Sequence, residues 1–285
     1  MYQSHYGLNE LPFGLTPDTS FVYTSPTHQE ALNTLLIAAR NGEGFIKITG
    51  EVGTGKTLLC RTFLAALGET FVSAYILNPY IDPRSLLHAV ADELSVPVEP
   101  HDDQHQVMKS LMHTLLELSA AGKRVVICID EAQAMPLESL EALRLLTNFE
   151  TEKTRLLQVV LFGQPELDSR LAHPSVRQLR QRITFQYCLR ALAPLELQHY
   201  LAHRMQVAGH RGKNMFTEPA MRALHKASGG IPRLINILAH KAMLLAYGEG
   251  VHEITLVHIR AAVSDTPAAR HRRGWWPGFG QVRAA

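Results

Sequence analysis

The sequence predicts an α/β fold, a parallel sheet covered by helices, followed by an all-helical region, and three observations carry that reading. Gly50-Glu51-Val52-Gly53-Thr54-Gly55-Lys56-Thr57 matches G-x-x-x-x-G-K-[ST], with a strand-like run over 45–49 before it and a helix-like run over 58–67 after it, stopped by Gly68. Short apolar runs then alternate with amphipathic helical patterns as far as about residue 190. From Ala193 the period is helical throughout, over 194–208, 217–228, 231–247 and about 255–264.

Each element has its own signal. Residues 1–26 are rich in aromatics and turn formers, with Tyr6-Gly7-Leu8, Leu11-Pro12-Phe13, Thr16-Pro17-Asp18 and Phe21-Val22-Tyr23, and read as a segment wrapped over a domain surface. Ser25-Pro26 supply an N-cap and a first-turn proline for a helix with Ala31, Leu32, Leu35, Leu36 and Ala39 on one face, ended by Gly42 and Gly44. Residues 71–77 form a second strand, Asp82-Pro83 cap a helix bearing Leu86, Leu87, Val90 and Leu94, and a further helix carries Val107, Met108, Leu111, Leu115 and Leu118. Val125-Val126-Ile127-Cys128-Ile129 is a continuous apolar run suited to a strand buried on both faces. Pro136 opens a helix with Leu137, Leu140, Leu143 and Leu146. Residues 156–162 form another buried strand, and 183–189 alternate as a half-exposed final one.

Composition narrows the class. With 285 residues, 46% hydrophobic and 19% charged, the chain can bury a large domain and a small one. A formal net charge of +2 argues against a polybasic nucleic-acid binder, although the 15 histidines would add charge in mild acid. Cys60, Cys128 and Cys188 lie far apart in apolar segments, which predicts buried thiols in a reducing compartment rather than disulfides or a metal site. No basic-then-apolar leader opens the chain and no run approaches the ~18 apolar residues of a membrane span, so a cytoplasmic protein is expected.

The glycine-bearing loop is built for polyphosphate. Its backbone folds back tightly and aims N–H groups inward at a helix N-terminus, where the dipole favours negative charge. Lys56 would reach the β/γ-phosphates and the Thr57 hydroxyl would ligate Mg²⁺. The buried strand over 125–129 ends in Asp130-Glu131, two carboxylates that are costly there unless a cation meets them. Asp130 would hold the metal and Glu131 would orient and polarise the attacking water. Gln164, in Gly163-Gln164-Pro165 at the same sheet edge, either bonds the γ-phosphate or attacking water or caps the helix that starts at Pro165.

Arginines supply the other candidates. Arg177, Arg180 and Arg182 are either a solvated helix face or a finger offered to a neighbouring subunit's nucleotide, where such a group is worth roughly 10³ to 10⁵ in rate. Arg233, in Gly229-Gly230-Ile231-Pro232-Arg233, sits on the first turn of a helix, where a cation is disfavoured, and answers either an external anion or a nearby carboxylate. Arg270-His271-Arg272-Arg273-Gly274-Trp275-Trp276-Pro277-Gly278-Phe279 reads as non-helical, suited to a membrane interface, a phosphate backbone or a docking partner, or else a disordered terminus.

Taken in order, the phosphate loop, Asp130-Glu131-Ala132-Gln133, Gly163-Gln164-Pro165-Glu166-Leu167 and the Gly-Ile-Pro-Arg-Leu-Ile-Asn run at 230–236 resemble the ExeA/GspA-type AAA+ ATPases, as do Tyr6-Gly7-Leu8 through Asp18 and His28 to Ala31. Within that group the likeness is strongest to ATPases of mannose-sensitive haemagglutinin (type IV) pilus biogenesis, and it covers residues 1 to about 266. The resemblance implies a P-loop NTPase with a parallel five-stranded core over 1–190 (1–26 wrapping it), a helical lid over 191–266 and a basic, aromatic tail over 267–285.

The same likeness implies ATP and Mg²⁺ as cofactors, with Gly50, Glu51, Val52, Gly53, Thr54, Gly55, Lys56, Thr57 and Leu58 as the phosphate loop. It makes Thr57 and Asp130 the metal residues, Glu131 the catalytic carboxylate, Gln164 the first sensor and Arg233 the second. Adenine would lie near the His28 helix and the lid, and Arg180 or Arg182 would act across subunits of a ring or dimer. Implied partners are inner-membrane pilus or secretion assembly proteins, with peripheral membrane contact through 270–279. Two departures stand out. Gln164 stands where many AAA+ proteins have Asn, and the membrane span and peptidoglycan-binding part of the secretion members have no counterpart here, which points away from a direct cell-wall role. A DNA-associated regulator of the transposition-helper type would need a basic surface, which only 177–182 and 270–273 offer. A nucleotide-gated scaffold would have no need of Glu131.

Overall fold

The computed structural model describes residues 2–15, 19–21, 23–150 and 155–271. Thr16-Pro17-Asp18, Val22 and residues 272–285 of the tail lie outside the described residues. The chain divides into two compact units, one formed by Thr24–Arg190 and the other by Met1–Tyr23 with Ala191–Ala285.

In chain order the first helix is α1 (Gln3–Tyr6), which belongs to the second unit; the first unit begins with α2 (Pro26–Asn41). Ser25 accepts the His28 amide as N-cap, Pro26 occupies the first turn, and Gly42 closes the helix with φ +76°. There follow β1 (Phe45–Gly50), α3 (Lys56–Ala66), β2 (Phe71–Ile76), α4 (Pro83–Glu93), α5 (Gln104–Ala120), β3 (Arg124–Ile129), α6 (Leu137–Leu146), β4 (Leu157–Gly163), α7 (Glu166–Leu171), α8 (Arg177–Arg182) and β5 (Ile183–Leu189). Asp82 caps α4 by accepting from the Arg84 and Ser85 amides, and Asp103 and Gln106 form a reciprocal capping box on α5.

All five strands are parallel, in the order β2-β3-β4-β1-β5. The alternation of strand side chains feeds two apolar layers. Val125, Ile127 and Ile129 of β3 and Val159 and Leu161 of β4 pack under α4, α5 and α6, while Val126, Cys128, Val160 and Phe162 pack under α2 and α3. A parallel sheet brings every strand's carboxyl end to one edge, so the turns after β1, β3 and β4 gather there. Lys47 of β1, itself buried, is neutralised by an ion pair with Asp168 of α7.

One cysteine expectation fails. Cys60 and Cys128 are buried, but Cys188 is exposed, because β5 is an edge strand whose even-numbered positions face outward. Burial pushes the Cys128 thiol well up, with Cys60 as its hydrogen-bond neighbour.

The second unit is helical: α9 (Pro194–Val207), α10 (Glu218–Ser228), α11 (Pro232–Gly248), α12 (Leu256–Ser264) and the short α13 (Pro267–His271). Here α13 makes Arg270 and His271 helical, against the expectation of an irregular stretch from 270 onward. The described residues of the first 23 also depart from expectation, since they group with these helices and belong to the helical unit. Tyr2, Tyr6, Leu8, Phe13 and Phe21 are buried among Leu201, Ile235, Ala239 and Met243. Tyr6 donates its hydroxyl to Met243 O at 2.9 Å, Arg204 donates to Pro12 O, and Asn236 Nδ2 donates to Gly14 O at 3.3 Å. Burial raises the Tyr2 hydroxyl to about 12 and lowers His240, and the phenol oxygen lies 2.8 Å from the imidazole Nδ1.

Gly230, just before α11, has φ +74° and lies against the backbone of Leu192. A Cβ there would be 2.2 Å from Leu192 O, and Leu192 N donates to Gly230 O at 2.8 Å. Replacing Gly230 with Ala combines left-handed strain with a backbone clash, and should cost about 3 kcal/mol of stability. Urea unfolding monitored by circular dichroism checks this; an unchanged midpoint would contradict it.

No helix among the described residues is long and apolar enough to cross a membrane.

Candidate functional site

The loop between β1 and α3 forms because glycine occupies the positions that other residues would strain. Gly53 and Gly55 have φ of +81° and +98°. A Cβ on Gly55 would come within 2.9 Å of His28 Nε2, and one on Gly50 within 3.0 Å of Leu189 Cβ. Thr54, buried, folds back with both its amide and its hydroxyl donating to Glu51 O, at 3.2 and 2.8 Å. His28 donates from Nε2 to Thr54 O at 3.0 Å, and Ser25 Oγ lies 2.8 Å from its Nδ1, so α2 braces the loop from outside. Helix α3 then starts at Lys56, and the amides of its first turn have no partner within the helix.

Lys56 is only 5% exposed, yet its ammonium makes no ion pair among the described residues. It donates to Gly50 O at 2.7 Å and Glu51 O at 3.0 Å, which leaves the third proton for a ligand. Burial lowers its pKa from the ordinary 10.5, and the carboxylates of Glu131, Asp130, Glu51 and Glu166 pull the other way.

Opposite stands Asp130, 1% exposed at the end of β3. Its carboxylate accepts the Thr57 hydroxyl at 2.6 Å, the Tyr75 hydroxyl at 3.3 Å and the Glu131 amide at 2.9 Å. Burial, and then the neighbouring Asp130, push the Tyr75 phenol up, so it stays a donor. No cation pairs with Asp130 among the described residues, although a buried carboxylate is costly without one. Thr57 Oγ1 beside Asp130 Oδ2 is a hard-oxygen pair of the kind Mg²⁺ accepts alongside phosphates and water. The residues present therefore fit both a polyphosphate and its metal ion.

Glu131 follows in the left-handed region, with φ 52° and ψ 35°, a conformation that costs a non-glycine residue about 1–3 kcal/mol. Its Oε2 accepts from Gln133 Nε2 at 2.6 Å and from Gln164 Nε2 at 3.0 Å. Gln164, from the end of β4, thus points its amide at the acidic pair. The alternative expectation of a side-chain cap on the following helix does not hold, since α7 has none.

Thus Lys56, Thr57, Asp130, Glu131 and Gln164 gather at the carboxyl edge of the sheet. Tyr75 and Gln133 join them, and neither was a candidate from sequence; the signals were that each lies within a few residues of a strand end and that Gln133 stands in the Asp130-Glu131-Ala132-Gln133 run. The arginines divide. Arg180 is exposed and, among the described residues, makes no hydrogen bond to the loop or to the acidic pair. Arg182 gives its guanidinium to Arg144 O at 3.2 Å and Thr147 Oγ1 at 3.1 Å, closing the end of α6. In the helical unit Arg233 is exposed on the first turn of α11 and has no ion pair among the described residues, so the carboxylate alternative is not realised.

Comparison with known proteins agrees with this geometry. An AAA domain family matches residues 39–171. General secretion pathway protein A of Aeromonas hydrophila is 42% identical over 279 residues, which is 98% of this chain and 51% of that protein, so the chain spans about half of that relative's length. Among solved structures, Cdc6p of Pyrobaculum aerophilum matches with a TM-score of 0.67 at 18% identity, over 87% of this chain and 70% of that one. The ORC2 protein of Aeropyrum pernix, solved as ADPNP-ADP complexes, gives 0.60 at 19% identity over 86% and 71%. A point variant of RuvB of Thermotoga maritima gives 0.57 at 15% over 86% and 70%. At these identities the structural likeness speaks for the fold alone. The phosphate loop, the strand-end acids and the five-stranded parallel sheet agree with these matches, which give the chain an AAA domain over residues 39–171 and a sequence likeness to the ExeA/GspA type along nearly its whole length.

Proposed function

We propose that this chain binds Mg-ATP at the carboxyl edge of its sheet and hydrolyses it. The carrying observation is a buried ammonium, Lys56, facing the buried Asp130 with no ion pair to it, an arrangement that a metal-bound polyphosphate would neutralise from both sides. The loop amides and Lys56 bind the phosphates, while Thr57 and Asp130 would hold the metal, which would supply charge neutralisation. Glu131 accepts a proton from water as the water oxygen bonds to the γ-phosphorus. The bond to the bridging oxygen breaks, and ADP leaves with that electron pair. Gln164 steadies the carboxylate. An oligomer, ring or dimer, would let the exposed Arg180 act on a neighbour's nucleotide; Arg182, engaged at α6, suits that role less.

The cellular role we propose is nucleotide-driven assembly of a secretion apparatus, or of a related type IV pilus such as the mannose-sensitive haemagglutinin pilus, at the cytoplasmic face of the inner membrane. Support comes from the relative named general secretion pathway protein A and, for the pilus, from the ordered motifs alone. The test is a pull-down from native membranes with Glu131→Gln in ATP, which should hold the nucleotide-loaded state. Enrichment of inner-membrane secretion or pilus proteins over the Lys56→Ala control is expected. Recovery of DNA or a transposase in their place would replace this role with the DNA-associated one.

A further inference from the structure

Glu131, Gln133 and Gln164 form a closed set of hydrogen bonds. Gln133 Nε2 donates to Glu131 Oε2 at 2.6 Å, Gln164 Nε2 donates to the same oxygen at 3.0 Å, and Gln133 Oε1 accepts from the Gln164 backbone amide at 2.9 Å. The set joins the turn after β3 to the end of β4 across 31 residues of sequence between the two glutamines. The Gln133 side chain is fixed on both sides. Its oxygen is held by a backbone donor, and a Cβ on Gly163 would stand only 3.3 Å from that oxygen, so its amide nitrogen has one direction in which to point.

Resting on the ATPase reading, we propose that Gln133 is a positioning residue for hydrolysis. It registers the Glu131 carboxylate against Gln164, so that the base and the phosphate-sensing amide move as one group. Both donors engage Oε2, and no described group donates to Oε1, which is therefore the oxygen that receives the proton from water. Of the two side-chain donors on this carboxylate, the amide of Gln133 makes the shorter contact, 2.6 Å against 3.0 Å. Without that amide the carboxylate keeps a single side-chain donor, supplied by the group that must also attend to the γ-phosphate.

The test uses Gln133→Met, which keeps length and removes both polar atoms, beside Glu131→Gln and wild type. Gln133→Met should lower kcat by about 10- to 100-fold, the usual loss when an orienting partner is removed, with KM and analogue affinity within about twofold. A readout that needs no turnover is the Glu131 side-chain carboxyl ¹³C resonance in nucleotide-free protein, identified by its absence in Glu131→Gln. It should move in Gln133→Met, since a donor 2.6 Å from the carboxylate is lost, while a fall in kcat at unchanged KM is what separates positioning from a merely structural role. Should that variant melt early, Gln133→Asn, one carbon too short to bridge both partners, carries the same expectations.

A kcat within about twofold of wild type in folded Gln133→Met would overturn the proposal. If Glu131→Gln is inactive while Gln133→Met is fully active, only this inference fails; if Glu131→Gln hydrolyses like wild type, the base assignment fails with it.

Discussion

Glu131→Gln should retain Mg-ATP and fail to hydrolyse it. The substitution keeps the length of the side chain and one oxygen for the Gln133 and Gln164 donors, and removes the negative charge that makes it a proton acceptor. General-base removal costs about 10²- to 10⁴-fold, so kcat should fall by at least two orders of magnitude. Affinity for ATP should stay within about threefold, because Lys56 and the loop amides carry phosphate binding. Phosphate release and analogue titration on the same preparation separate the two quantities. Equal kcat in variant and wild type would remove Glu131 from the reaction.

The second large effect belongs to Lys56→Ala. In the nucleotide-free fold the ammonium is buried, donates to two backbone carbonyls, and has its pKa lowered chiefly by burial. The unfolded chain thus holds this proton more tightly than the folded one. Its contribution to stability is least favourable where the lysine is fully charged, and improves as pH rises toward the ordinary 10.5. A bound polyphosphate reverses that balance by supplying the missing counter-charge. Removing the lysine should weaken Mg-ATP binding by about 10²-fold or more, given that truncating one member of a buried charge pair costs about 2–5 kcal/mol. The melting temperature without nucleotide should stay within about 3 °C of wild type, showing that affinity rather than folding is lost. Calorimetric titration and a thermal melt check both halves; unweakened binding would mean that the phosphates lie elsewhere.

Much of this site was legible in the residues because its chemistry is local. Seven residues from Gly50 to Lys56 set the loop, and the Asp130-Glu131 pair at the end of an apolar strand could only face the same edge once the strands were parallel. Helix starts at Ser25 and Asp82 were readable for the same reason, since a cap is decided within three residues. What escaped depends on contacts distant in sequence. Gln133 acquires its importance from Gln164, and Tyr75 from Asp130, 55 positions away. Whether Cys188 is buried depends on whether anything lies beyond β5, which its own neighbours do not say. The aromatics at Tyr2, Tyr6 and Phe13 announce that the first segment must pack somewhere. Only the complementary partners at Met243, Arg204 and Asn236 say where. Arg182 carries the right charge for a finger but is engaged at the end of α6, by Arg144 O and the Thr147 hydroxyl.

The most direct measurement is a single turnover of γ-labelled ATP with the protein in excess, with and without Mg²⁺. Wild type should release one labelled phosphate per bound ATP in a magnesium-dependent phase, Glu131→Gln should return the ATP intact, and Lys56→Ala should leave it unbound. Labelled ATP recovered unbound and uncleaved from folded wild-type protein in the presence of Mg²⁺ would contradict the account.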